Sequence, residues 1–252
     1  MCCYREERKI TLLLKLLGNI VPYSKFTTMN TITKITSFFF LLIITTMSGQ
    51  EYFEGVLEYE VSYESTSEFI PVETLKSEFG TSFTAYVQED RYAMIFHATG
   101  QFGWMKVIVS LREGYAYTEF EKSDTITKSK LNTRQEGLIE FKRNSDNKKL
   151  VLNEWCESVT INYKPSGPDV FYQEHRATHY FNPKYKLNAT LYENYTDGFW
   201  NLFVAESNAI SIRNETEFFP LFKQIDEATS IVAEEVPDAM FILNPAKTVL
   251  EE

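Results

Sequence analysis

The sequence predicts a mainly β protein of the α+β type, an antiparallel meander with one or two short helices. Three observations predict it. Phe53–Tyr63 alternates, with Leu57, Tyr59, Val61 and Tyr63 on one side and Glu58, Glu60 and Ser62 on the other. Similar short runs then follow one another across Gly, Asp and Asn turns, the mark of hairpin-linked strands. Pro71–Gly80 changes to a helical period, with Val72, Leu75 and Phe79 on one face.

The opening strand therefore has one buried and one wet face. In the helix, Pro71 suits a first turn, Glu73 suits the start and Gly80 is a natural stop. Phe83, Ala85 and Val87 alternate with polar neighbours, Glu89-Asp90 turns, and Tyr92, Met94 and Phe96 return. Gly100 and Gly103 mark the next turn. Met105, Val107, Val109 and Leu111 form another apolar face, and Glu113-Gly114 leads into Tyr115–Phe120. Lys122–Arg134 is rich in Ser, Thr and Lys and reads as an exposed loop or ragged edge. Asn144–Asn147 reads as a hairpin turn between Ile139–Arg143 and Lys149–Leu152. Val159, Ile161 and Tyr163 alternate up to Pro165-Ser166-Gly167-Pro168, and Val170–Phe181 reads as strand again. Asn182-Pro183 either caps a short helix with Leu187, Leu191 and Tyr195 on one face or opens a long loop. Asp197-Gly198 turns into Phe199–Val204, and Ala209–Arg213 and Ala228–Glu234 add late strands. No internal repeat or linker interrupts the series.

Met29–Gln50 reads as a secretory signal peptide: Lys34, the apolar run Phe38–Ile44, then the small and polar Thr45–Gly49. That run is too short to cross a bilayer, which takes about 20 apolar residues. Cleavage is expected after Ser48 or Gly49, where no cysteine offers a lipid anchor. Residues 1–28 then read as an extension ahead of a true start at Met29, 29–49 as the leader and 50–252 as a single β-rich domain. The expected location is periplasmic or secreted, with no membrane span after cleavage.

Charge narrows the partners. Without residues 1–49, which hold six basic and two acidic residues, 19 Lys+Arg face 33 Asp+Glu. Such a surface excludes nucleic acid, whose phosphates need basic clusters, and disfavours docking to anionic lipid. Cys156 is the lone cysteine of that region, so stability comes from packing, to which 32 Phe, Tyr and Trp contribute. A lone Cys in a β context reads as a small core residue.

Several stretches together resemble uncharacterised secreted proteins of Gram-negative bacteria, the GLPGLI-like and related domain-of-unknown-function group. They are Phe53-Glu54-Gly55-Val56-Leu57-Glu58-Tyr59, Asp90–Tyr92, Val107–Tyr117, Leu150–Ile161, Tyr180–Tyr185 and Val236-Pro237-Asp238-Ala239-Met240-Phe241. The chain departs from that group in lacking a Gly-Leu-Pro-Gly-Leu-Ile stretch and in carrying Asn153 where a glycine is expected before the cysteine. The resemblance implies a fold like the periplasmic lipoprotein carriers. In those, a strongly curved antiparallel sheet, a half-barrel, wraps one or two short helices and can hold acyl chains on its concave face. A half-barrel filled by its own Phe and Tyr side chains has the same pattern.

No motif spells out a reaction. His175 and His179 converge on one ion only on a helix; along a strand they lie about 13 Å apart, so they read as surface histidines. No acidic set has calcium-loop spacing, and there is no nucleophile elbow or phosphate loop. Catalytic residues, metals and cofactors are accordingly expected to be none, although two carboxylates would suffice for a glycosidase. Asn188, Asn194 and Asn214 begin N-glycosylation patterns that matter only in a eukaryotic secretory route. The expectation is a non-catalytic binding protein taking an apolar small molecule or a lipidated protein near Tyr59, Val61, Met94, Phe96, Val107 and Val109. Its rival is a cell-envelope interaction module using sheet edges and Lys122–Arg134. An outer-membrane barrel fits less well, because the chain closes on Leu-Glu-Glu and lacks lipid-facing alternation in every strand.

Overall fold

A computed structural model describes residues 52–252 apart from 134, 168 and 169. The leader and the extension before it lie outside the described residues. Twelve strands form one open, curled sheet in the order β12-β6-β5-β4-β3-β2-β1-β11-β10-β9-β8-β7. They are β1 (Gly55–Ser65), β2 (Ser82–Val87), β3 (Arg91–Phe96), β4 (Met105–Ser110), β5 (Tyr115–Phe120) and β6 (Thr125–Lys130), then β7 (Gly137–Val151), β8 (Glu154–Lys164), β9 (Glu174–Lys186), β10 (Ala209–Phe219), β11 (Phe222–Ala233) and β12 (Thr248–Glu251). Every pairing is antiparallel except β12 with β6. Among the described residues no helix is long and apolar enough to cross a membrane.

The alternation that predicts β1 is the one that places it. Leu57, Tyr59, Val61 and Tyr63 are buried, and Glu58, Glu60, Ser62 and Glu64 are exposed. Helix α1 (Val72–Phe79) sits where its period puts it, with Leu75 buried and Gly80 closing it at φ 85°. Glycine takes that left-handed backbone without a Cβ clash. The Tyr63 hydroxyl donates to the Gly80 carbonyl at 2.9 Å, and Phe79 stacks on Phe222, so α1 is tied to β1 and β11.

Four readings are corrected. Lys122–Arg134 holds a paired strand, β6, between β5 and β12; its β-branched Thr125, Ile126 and Thr127 suit a sheet, and Ile126 is fully buried. Asn144–Asn147 is no hairpin turn. The strand runs on through a register shift, and the chain reverses at Leu152 and Asn153, both at positive φ. Asparagine tolerates that conformation better than most residues, which is why Asn153 stands where a glycine was expected. After Asn182-Pro183 β9 simply continues to Lys186, having begun at Glu174 and not at Val170; helix α2 (Ala189–Tyr192) starts later, capped by the Asn188 side chain on the Thr190 amide. Finally, Phe199–Val204 opens helix α3 (Trp200–Ser207), in which Phe203, Val204 and Ser207 are buried at helical spacing.

The C-terminal segment passes over the opposite face of β2–β6. Gln88 donates to the Val236 carbonyl, Arg91 lies over the Phe241 ring, and Lys247 pairs with Glu119 at 3.1 Å. Both ends of that ion pair are nearly buried, with side-chain exposures of 10% and 5%. The segment then joins β6 as β12.

Candidate functional site

Register builds the site. Val159, His179, Asn214, Asp226 and Val61 are successive partners across β8, β9, β10, β11 and β1. Directly opposed residues share a face, so three polar side chains form a row across an otherwise apolar surface. The curl of the sheet brings both its halves against α2 and α3. His179 meets Phe203 and Trp200 at ring-centroid distances of 4.9 and 5.2 Å. From the other half, the Tyr92 hydroxyl lies 3.4 Å from that of Tyr195, and Asn188 donates to Glu89.

Between these walls lies a cavity of about 260 Å³. Tyr59, Phe83, Met94 and Phe96 line it from the sheet, and Tyr192, Trp200 and Phe203 from the helices. Its polar lining comes chiefly from Ser211, Asn214, Gln224 and Asp226. A smaller recess of about 190 Å³ shares Phe96 and Gln224 with it and is lined by Tyr63, Phe79, Met105, Phe171, Phe218 and Phe222.

The polar row is directional. The Asn214 carbonyl oxygen accepts from Ser211 at 2.5 Å and lies 2.7 Å from His179 Nδ1, so that nitrogen carries the proton. This leaves the Asn214 amide as the donor that reaches Asp226. Gln224 donates to Asp226 Oδ1 at 2.8 Å, and the Tyr59 hydroxyl is committed to the Ser211 carbonyl at 2.8 Å. Asp226 thus has two neutral donors and, among the described residues, no ion-pair partner. Arg213, one register position away opposite Glu227, pairs with Glu215 and Glu227.

Burial sets the charges. It pushes the Asp226 carboxyl up to about 6, against the pull of Gln224 and Asn214. It pushes His179 down to about 4, so the imidazole is neutral above that pH. Burial and the nearby Asp226 raise the Tyr59 and Tyr63 phenols. The principle is single: a low-dielectric site disfavours whichever form is charged.

Three of the six expected residues, Tyr59, Met94 and Phe96, line the cavity. Val61 and Val109 are buried in the core and Val107 packs against it, but none of the three is among the lining residues. Neither His175 nor His179 is a surface histidine. His179 is buried in the row, while His175 is partly buried, stacks on Tyr163 at 4.6 Å and is lowered to about 4 by burial. Among the described residues no three His, Cys, Asp or Glu side chains gather as a metal site. Cys156 is fully buried and its thiol is pushed up by that burial, the state of an unreactive core side chain. Asn214 belongs to the row, so its N-glycosylation pattern marks no exposed acceptor. The sequence reading missed Asp226, Asn214 and Gln224. The available signal was Phe222, Gln224, Asp226 and Ala228, an alternating face with a carboxylate among apolar residues.

No protein-family model matches the chain, and no curated protein matches it. Membership of the GLPGLI-like group is therefore not shown. Two solved structures are similar in shape. One is an uncharacterised conserved protein from Thermus thermophilus, with 7% identity over 79% of this chain and 91% of that one, TM-score 0.40. The other is a LolA superfamily protein from Nitrosomonas europaea, with 7% identity over 77% of this chain and 92% of that one, TM-score 0.36. What the cavity can hold is read from its own side chains.

Proposed function

We propose that this is an exported, non-catalytic binding protein that holds an apolar ligand, a lipid or the acyl chain of a lipidated partner, between its half-barrel sheet and the α2–α3 helices. One observation carries the reading: the aromatic and aliphatic cavity walled by Tyr59, Phe83, Met94, Phe96, Tyr192 and Phe203. Protein interiors are close-packed, and voids much larger than a water molecule are few. An engineered cavity of about 150 Å³ stays dry and takes up benzene, so a larger one of this lining suits an apolar guest. Ligand sites are commonly concave and apolar with a few converging polar groups, which is the composition found here. Val61, Val107 and Val109 then act as packing behind the wall. The leader motivates a periplasmic or secreted location.

Native mass spectrometry of the exported protein, followed by organic extraction, tests the reading. A co-purifying apolar molecule, or uptake of acyl probes by the stripped protein, is the expected result. A clean apo mass with no uptake refutes it.

A second reading has its own support. Among the described residues strand β7 pairs only with β8, and Leu138, Ile139, Leu150, Leu152 and Trp155 are exposed along this hairpin. An open, apolar edge favours strand-to-strand association, so an interaction module predicts loss of partners when that edge is charged by Ile139→Lys.

A further inference from the structure

We propose that the ligand of the cavity is a cationic amphiphile, a primary amine whose ammonium group meets the Asp226 carboxylate while its apolar body lies along the Tyr59, Phe83 and Met94 wall. The inference rests on the binding reading above and names the chemistry of its guest.

Two independent features point to an ammonium head. The first is the carboxylate. A buried charge is costly unless it is paired, yet among the described residues Asp226 receives only the neutral amides of Gln224 and Asn214. A carboxylate offers about four acceptor positions, so two such bonds leave acceptor capacity beside the cavity that Asp226 itself lines. The second is the aromatic lining. Seven aromatic side chains, among them Tyr59, Phe83, Tyr92, Tyr192 and Trp200, line one small space, and ring faces attract cations, most strongly where water is excluded. A fatty-acid anion meets both features as repulsion. A neutral alcohol satisfies the acceptor but gains little from the rings. The acidic balance of the chain, net −10, adds a long-range attraction for cations.

Size agrees. Scaled from the benzene-binding cavity, about 260 Å³ holds on the order of ten non-hydrogen atoms, which matches octylamine. A longer tail has the adjoining recess at Phe96 and Gln224 to enter.

Charge predicts the pH dependence. The groups facing Asp226 are Tyr59 and Tyr63 from β1, Asn214 from β10, and His179 from β9 through Asn214. Both phenols stay protonated and His179 stays neutral across pH 5–8. Asp226 alone changes charge in that window, ionising above about pH 6.

The test is isothermal titration of the exported protein with octylamine, octanol and octanoate at pH 5.0 and 7.5. Octylamine is expected to bind at least tenfold tighter than either homologue at pH 7.5, and to lose most of that preference at pH 5.0. Asp226→Asn is expected to remove the preference for octylamine over octanol at pH 7.5. Equal binding of octylamine and octanol at pH 7.5, or an unchanged preference in Asp226→Asn, overturns the amine inference and leaves the apolar cavity standing. Failure of all three probes to bind overturns the cavity reading and the inference with it.

Discussion

Replacing Asp226 by asparagine should make the protein more stable at neutral pH and change little at pH 4. The Asp226 carboxyl is raised from 3.8 to about 6 in the folded chain. Its native form therefore holds a proton that the unfolded chain releases first, and stability falls as pH rises between about 4 and 6. Below that window both states are protonated. Above it both are ionised, and the folded state carries the full cost of a buried carboxylate. Two pK units correspond to about 3 kcal/mol, since each unit is ~1.4 kcal/mol. Asn214 and Gln224 can still bond to an amide, and any offset from the altered bonds is the same at every pH. His175 and His179 work in the opposite sense, because burial lowers both to about 4 and their contribution fades as pH falls from 6.5. Their effect is common to both proteins and drops out of the difference. Urea unfolding of the two proteins from pH 4 to 7.5 measures it. The advantage of Asp226→Asn should grow by about 2–3 kcal/mol across the range. A difference that stays flat would show that Asp226 ionises as it does in water and would refute the reasoning.

Three further perturbations probe other parts of the fold. Ile126 is fully buried in β6, so Ile126→Ala should cost about 2–5 kcal/mol in chemical denaturation; a loop at Lys122–Arg134 would show almost none. Lys247→Met removes the paired cation of buried Glu119 and leaves it the register partner Lys106; it should cost up to about 3 kcal/mol, while Lys247→Met with Glu119→Gln should recover most of it. Ala85 lines the cavity between its register partners Leu57 and Met94. Ala85→Leu should raise thermal stability by about 1 kcal/mol through filling and cut acyl-probe uptake at least tenfold by titration.

The sequence by itself determined the strands with one wet face and the punctuation between them. β1 through β4 were legible because each alternates with period two, β5 because Glu113-Gly114 turns into it, and α1 because Val72, Leu75 and Phe79 break that period. Where a segment is polar, or is covered on both faces, the alternation fades. β6 shows only Ile126 as a buried apolar side chain within its bounds, so its strand character comes from being paired on both sides. β8 is buried without a break from Ser158 to Tyr163, and β7 carries its polar run straight through a register shift that sequence reads as a turn. Helix α3 has the spacing Trp200, Phe203, Val204 and Ser207, yet it follows a left-handed Gly198–Phe199 step that local pattern does not reveal.

The cavity belongs to the tertiary structure. Tyr59, Met94 and Phe96 announce an apolar face, but a face becomes a cavity only when curl brings α2 and α3 over it at a distance side chains do not fill. The polar row is set by strand order, which joins β1 to β11 across some 160 residues of chain and makes Val61, Asp226, Asn214 and His179 neighbours. Residue types choose which face each strand buries. Which carboxylate ends up among aromatic rings, and what charge it keeps there, is decided by the pairing of strands distant in sequence.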